Sequence, residues 1–167
     1  IGASLAFFFV SFLVAHLFYG LGDLSRSIQS VPELIGSTLP LSVGQYLLLL
    51  LGLKTFGLLV IGIWAFVLAL LCRHPVITLL GDVAVGALSW ALTRIPPLSA
   101  WNWFKHLNLA TLAEPYSVWK EYLNLNFFGF PLPAWAWHLG FAAALFLAGI
   151  GISVLLSHFN RTLSYRT

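Results

Sequence analysis

Lys54 and Asp82 are charged residues set within about 90 residues of sequence that is apolar enough for a membrane. Charged side chains in such runs usually face water or a protein interior, so both residues are candidates for a translocation pathway. The helical rise puts Lys54 about 27 Å from Cys72, at the end of its run. Asp82 lies only about 9 Å from Val76, at the adjoining end of the next run. We therefore expect the two charges at different depths, without an ion pair between them.

Each charge also has a structural interpretation. Asp82 is near enough to the end of its run to be hydrated, and we favour a hydrogen-bonding role over a role in transport. Lys54 is near the opposite edge, where its long side chain can extend to water. Gly52 and Gly57 flank Lys54, which favours a bend or a close helix contact there.

Other residues that could carry chemistry are scattered along the chain. The five histidines fall in five different segments, so a shared metal site would need a pair such as His106 and His138. Ser89 superficially suggests an intramembrane serine protease, but a small-residue packing face is the simpler interpretation. Cys72 is the only cysteine, which excludes an internal disulfide and a thiolate cluster. The sequence has no phosphate-binding loop, zinc-protease motif or nucleophile elbow, so we expect no catalytic residue, metal or cofactor in this chain.

The composition indicates a membrane protein. Of the 167 residues, 60% are hydrophobic and 8% are charged, and the mean hydropathy is +0.94. No soluble fold buries this much apolar surface, so we predict an all-α, polytopic membrane protein. A net charge of +3, spread along the chain, is too small for a nucleic-acid interface. The chain starts at Ile1 and contains no methionine, which favours a fragment of a longer polypeptide.

Four apolar runs predict four transmembrane helices in a single domain, with approximate bounds 3–20, 43–72, 76–93 and 134–157. The second run is longer than the roughly 20 residues that one upright span requires. It is therefore either one tilted helix or an interfacial segment followed by a span that starts after Lys54. We expect residues 21–42 to form a loop, and residues 98–122 to form short helices lying along or dipping into the membrane interface.

Basic residues indicate the orientation of these spans. Arg73 and His74 form a short turn without acidic residues, and the C-terminal tail carries Arg161. Because arginine is enriched in cytoplasmic loops, we place this turn and the tail in the cytoplasm and both long loops outside. These three residues are the candidates for contact with a cytoplasmic partner.

Aromatic residues cluster in the second long loop. Such rings prefer the headgroup level of a bilayer, so the cluster fits either a general aromatic belt or a specific gate. The candidates for a gate are Trp101, Trp103, Tyr116, Trp119 and Tyr122.

Several loop motifs resemble those of one protein family. They lie at 29–32, 41–47, 53–58 and 103–109, and the sequence YLNLNFFGFP at 122–131 introduces the last apolar run. In these motifs the chain resembles the membrane-spanning permeases of bacterial ABC exporters of the second type. The resemblance covers nearly the whole chain, and its motifs carry no catalytic residue.

The resemblance implies that the four runs are the third to sixth spans of a six-span permease in the bacterial inner (plasma) membrane. It implies external re-entrant helices at 98–133 and a main coupling helix before Ile1. ATP and Mg²⁺ would bind to separate ATPase subunits, and a second permease chain, identical or different, would complete the pathway for a peptide, antibiotic or lipid-like substrate. Two other functions stay open: a membrane-embedded enzyme that uses Asp82 and His16, and a membrane scaffold without transport.

Overall fold

The computed structural model describes residues 9–11, 13, 22–37, 39–94, 105–120, 123–127 and 129–164. This part of the chain is mostly helical, as the composition predicts. Its main elements, in chain order, are α1 (Val43–Cys72), α2 (Pro75–Leu92), α3 (Leu109–Ala113), α4 (Tyr116–Trp119), β1 (Asn124–Phe127), β2 (Phe130–Pro133) and α5 (Ala134–Ser164).

Three of the described helices are long enough and apolar enough to cross a membrane, namely α1, α2 and the part Ala134–Phe159 of α5. This finding indicates a membrane protein. The predicted bounds 43–72 are those of α1, and the bounds of α2 differ from the predicted ones by a single residue at each end. The first predicted span, 3–20, lies almost wholly outside the described residues. Within it, only residues 9–11 and 13 are described, and these are helical.

Helix α1 is continuous through Lys54. Ser42 and Gln45 form a capping box at its start, in which each side chain accepts a hydrogen bond from the other residue's backbone N–H. Its 30 residues make it about 45 Å long. Arg73 ends the helix in the left-handed conformation, with φ 52°, and donates its N–H to the Ala69 carbonyl. Of the two alternatives for this run, the single helix is the one observed.

Helix α2 returns alongside α1, and α5 runs parallel to α1. The turn between α1 and α2 is short, and Pro75 occupies the first position of α2, where its missing N–H has no helical partner to lose. Val60 packs with Ala142, and further along both helices Ile63 lies against Gly149. We call the end of the bundle at residues 73–75 the turn end and the opposite end the loop end.

Residues 22–37 and 39–42 fold back onto the start of α1 at the loop end. Val43 donates its backbone N–H to the Arg26 carbonyl at 2.8 Å. Ile28 is fully buried in one hydrophobic cluster with Tyr46. The predicted loop is therefore an ordered cap on the bundle, built around two short 3₁₀ turns.

A β-hairpin precedes α5. Strands β1 and β2 pair antiparallel, with Asn124 opposite Pro133, and Gly129 takes a φ of 87° in the turn between them. Pro131 and Pro133 lack the N–H that a helix interior uses, and a glycine with positive φ suits a tight hairpin turn. The prediction of an all-α chain is wrong at this hairpin, as is the prediction of re-entrant helices extending to residue 133.

Candidate functional site

Residues 105–120, here called the docked segment, fold through local hydrogen bonds. The Asn108 side chain accepts from the Thr111 N–H at 3.1 Å, and the Thr111 hydroxyl accepts from the Asn108 N–H at 3.3 Å. This capping box starts α3. Pro115 then ends it, because a proline has no N–H to continue the helix, and the chain turns into α4.

The docked segment packs against α1 at Gly57. The Leu112 carbonyl oxygen lies so close to this residue that a Cβ atom added to Gly57 would be 1.9 Å from it. Only a Cα hydrogen fits there, in the arrangement of a weak Cα–H···O contact. The Leu112 side chain is buried with Val60 of α1 and Ala142 of α5. One residue of the segment thus touches two of the long helices.

A buried histidine joins the docked segment to α5. His138 is 2% exposed, with its Nε2 3.2 Å from the Thr111 carbonyl oxygen and its Nδ1 3.5 Å from Trp119 Nε1. In an uninterrupted helix the Thr111 carbonyl would accept from residue 115, but Pro115 has no N–H to donate. The neutral tautomer with its hydrogen on Nε2 satisfies both contacts, since it donates to Thr111 and accepts from Trp119.

An ion pair joins the docked segment to α1 near the loop end. Lys54 Nζ donates to Glu114 Oε2 at 3.0 Å. The two side chains are 42% and 65% exposed, so the pair contributes no more than about 1 kcal/mol. Lys54 therefore pairs with Glu114 and not with Asp82, which confirms the expectation drawn from their different depths.

The docked segment lies between the long helices, some distance in from their ends. Gly57 is about 22 Å from Cys72 along α1, and Ala142 is about 12 Å from the start of α5. Because Leu112 contacts both levels, the docked segment reaches the middle of α1, about 21 Å from its start at Val43.

A cavity of about 390 Å³ lies between α1 and α2, on the side of the docked segment that faces the turn end. Leu109, Ala110 and Ala113 of α3 form its wall toward the loop end, and Asp82 and Ser89 are polar residues in its lining. Asp82 makes no hydrogen bond or ion pair with any described residue. The hydrogen-bonding role that the sequence favours for Asp82 is therefore not found in the described part of the chain.

Two of the candidate gate residues belong to the docked segment. Trp119 is 6% exposed, and its ring centre lies 6.0 Å from that of Trp135 at the start of α5. Tyr116 is partly buried against the hydrophobic cluster that contains Ile28 and Trp119. The other three, Trp101, Trp103 and Tyr122, lie outside the described residues.

The candidate partner contacts lie at the turn end. Arg73 and His74 are exposed in the connection between α1 and α2. The side chain of Arg161, in the last turns of α5, is outside the described residues.

The two histidines considered for a metal site differ in their surroundings. His138 uses both ring nitrogens in contacts with the docked segment. Burial lowers the pKa of His106, and the nearby charge of Lys105 lowers it further, so this ring is neutral at neutral pH. No group of three or more metal-binding side chains occurs among the residues that the structure describes.

Several residues of the site were missed in the sequence, among them Asn108, Thr111 and Glu114. The spacing of Asn108 and Thr111 is typical of a capping box, and Pro115 four residues after Thr111 signals a carbonyl in need of a donor. No comparable local signal identifies Glu114 as the partner of Lys54.

No protein-family model, curated protein or solved structure matches this chain.

Proposed function

We propose that this chain is the membrane subunit of an ATP-driven exporter, acting with a second permease chain and two ATPase subunits. The observation that supports this proposal best is the position of the docked segment across the loop end of the cavity. In the proposal this segment is the outer gate, and the cavity belongs to the pathway that the gate closes. The resemblance of the loop motifs to exporter permeases supports the same function.

The proposed topology has four spans in the bacterial plasma membrane, formed by the run 3–20 and by α1, α2 and α5. The turn end faces the cytoplasm, where Arg73, His74 and Arg161 contact an ATPase subunit. The docked segment then dips into the bundle from outside. Irregular backbone is tolerated at such a depth where protein surrounds it, and the contacts with Gly57 and His138 supply that surrounding.

The contacts of the docked segment suit a part that moves. They include packing at Gly57, burial of Leu112 against Val60 and Ala142, two hydrogen bonds of His138 and one exposed ion pair. All of them are non-covalent, and α3 has its own capping box, so the segment keeps its local structure when these contacts break. In the exporter the ATPase cycle shifts the population between a state with these contacts and a state without them.

A membrane-embedded enzyme is the second candidate, because the cavity contains both a carboxylate and a hydroxyl. Asp82 and Ser89 are seven residues apart on α2, which separates them by about 10 Å along the helix. A nucleophile and its base need hydrogen-bond contact, and this spacing does not provide it. His16, the residue that the sequence pairs with Asp82 in the enzyme hypothesis, lies outside the described residues.

The partner prediction is tested by purification of the tagged chain from its native membrane in a mild detergent. We expect an ATP-binding subunit to co-purify and the preparation to hydrolyse ATP. Replacing Arg73 and His74 by glutamate should weaken the association, since both lie at the turn end. The matched control is Asp23→Asn, an exposed carboxylate near the loop end, which should leave the association intact. A chain that functions alone, and is indifferent to blocked ATP hydrolysis, would exclude the exporter and favour the enzyme.

A further inference from the structure

We propose that the cavity between α1 and α2 binds amphiphilic cations, molecules with one positive charge and bulky apolar groups. The claim that such cations are the substrates of the exporter rests on the proposed function. The claim that they bind in the cavity rests on the residues of the cavity alone.

The size and lining of the cavity suit a small amphiphilic molecule. Its volume of about 390 Å³ falls within the range of small-molecule sites. Most of the lining is aliphatic, with Ile61, Leu68 and Val85 among the contributors. An apolar ligand surface is therefore matched by an apolar wall.

The charge of the cavity selects a cation. Asp82 is the acidic residue of the lining, and the described lining contains no lysine, arginine or histidine. Its carboxylate makes no hydrogen bond or ion pair with any described residue. A carboxylate without a protein partner, in a lining that is otherwise largely apolar, favours a ligand that carries a positive charge. The salt bridge of Lys54 with Glu114 leaves that lysine engaged elsewhere.

An aromatic ring in the lining adds a second reason for a cation. Trp64 contributes to the cavity wall, and its indole N–H donates to the Leu145 carbonyl of α5 at 3.1 Å. This hydrogen bond fixes the ring in place without using its π system. Cations with apolar substituents bind well beside tryptophan rings, so Trp64 and Asp82 favour the same class of ligand.

The test compares two ions of the same shape and opposite charge, tetraphenylphosphonium and tetraphenylborate. Their binding to the purified full chain is followed by quenching of tryptophan fluorescence in one detergent. We expect the phosphonium ion to bind at least about tenfold more tightly, which is modest for a charge pair at an effective dielectric constant of about 20. Asp82→Asn should raise the Kd of the phosphonium ion by about the same factor, while Asp82→Glu should preserve it. The control Asp23→Asn should leave both ions unaffected.

Equal affinity of the two ions for the unmodified chain would overturn the proposal, and so would an unchanged Kd in Asp82→Asn. If Asp82→Asn does not fold, Ala65→Phe decides the location, because its larger side chain should fill the cavity and weaken phosphonium binding. Unchanged binding to Ala65→Phe would place the cation elsewhere. If the chain binds the cation but has no ATPase partner, the cation site stands and the exporter proposal fails. If the chain has an ATP-dependent function but does not discriminate between the two ions, the exporter stands and the cation site fails.

Discussion

Replacing Gly57 by alanine is expected to displace the docked segment from α1 and to destabilise the protein by about 3 kcal/mol, the upper end of the usual overpacking cost. The new Cβ atom would lie 1.9 Å from the Leu112 carbonyl oxygen. A backbone atom cannot rotate away as a side chain does, so α3 has to move as a whole. We expect a lower midpoint of thermal unfolding in detergent and faster thiol modification of an Ala113→Cys reporter in a Cys72→Ser background.

The matched control for Gly57 is Gly62, on the same helix. A Cβ atom at Gly62 meets nothing within 4 Å. Gly62→Ala should therefore leave the midpoint unchanged or raise it. The higher helix propensity of alanine adds up to about 1 kcal/mol to the free energy of unfolding. Equal effects of the two substitutions would mean that the contact between α1 and the docked segment does not stabilise the protein.

Replacing His138 by leucine is expected to destabilise the protein at least as much as the change at Gly57. The substitution removes the donor to the Thr111 carbonyl and the acceptor for the Trp119 N–H, both in the buried interior. Each polar group left without its partner costs about 1–3 kcal/mol. For the two groups together we therefore predict a loss of about 2–6 kcal/mol in the free energy of unfolding, measured in detergent.

His138→Gln tests whether hydrogen bonding explains that loss. Its amide can donate to the Thr111 carbonyl, so it should recover part of the stability. Leu139→Ala on the same helix is the control, because Leu139 is exposed and its truncation should cost no more than about 0.5 kcal/mol. If the glutamine and leucine variants are equally unstable, the His138 site stabilises the fold by its shape rather than through these hydrogen bonds.

The long helices could be predicted because their signals are local. Continuous apolar sequence defines α1, and Pro75 after the Arg73 turn defines the start of α2. Gly57 also carried a local signal, since a glycine beside a charged residue in an apolar run favours close packing. The structure confirms that close contact, while Gly52, flagged in the same way, has nothing within 4 Å of its Cβ position.

The docked segment could not be predicted to the same degree, because its position depends on contacts between distant parts of the chain. Glu114 is 60 residues from Lys54, and His138 is 27 residues from Thr111. The sequence of the segment, with caps, tryptophans and a few charges, is equally typical of a helix at a membrane surface. The depth of the docked segment in the bundle is set by Gly57 and Ala142, because these small residues leave room for Leu112 between α1 and α5.

In the proposed exporter, ATP hydrolysis moves the docked segment. The most direct test is the rate at which a membrane-impermeant maleimide modifies Ala110→Cys from outside intact cells. Ala110 lies in the cavity wall, so its rate reports an open gate. The reference for this rate is the exposed Ser117→Cys, and both changes are made in a Cys72→Ser background. Ser164→Cys, on the cytoplasmic side of the proposed topology, should not react.

The experiment compares cells with an active ATPase partner and cells whose partner binds ATP but does not hydrolyse it. We predict that the ratio of the Ala110→Cys rate to the Ser117→Cys rate differs at least about threefold between them, as a shift between open and closed populations requires. The same ratio in both kinds of cell would contradict movement of the docked segment by ATP hydrolysis, and reaction of Ser164→Cys from outside would contradict the proposed topology.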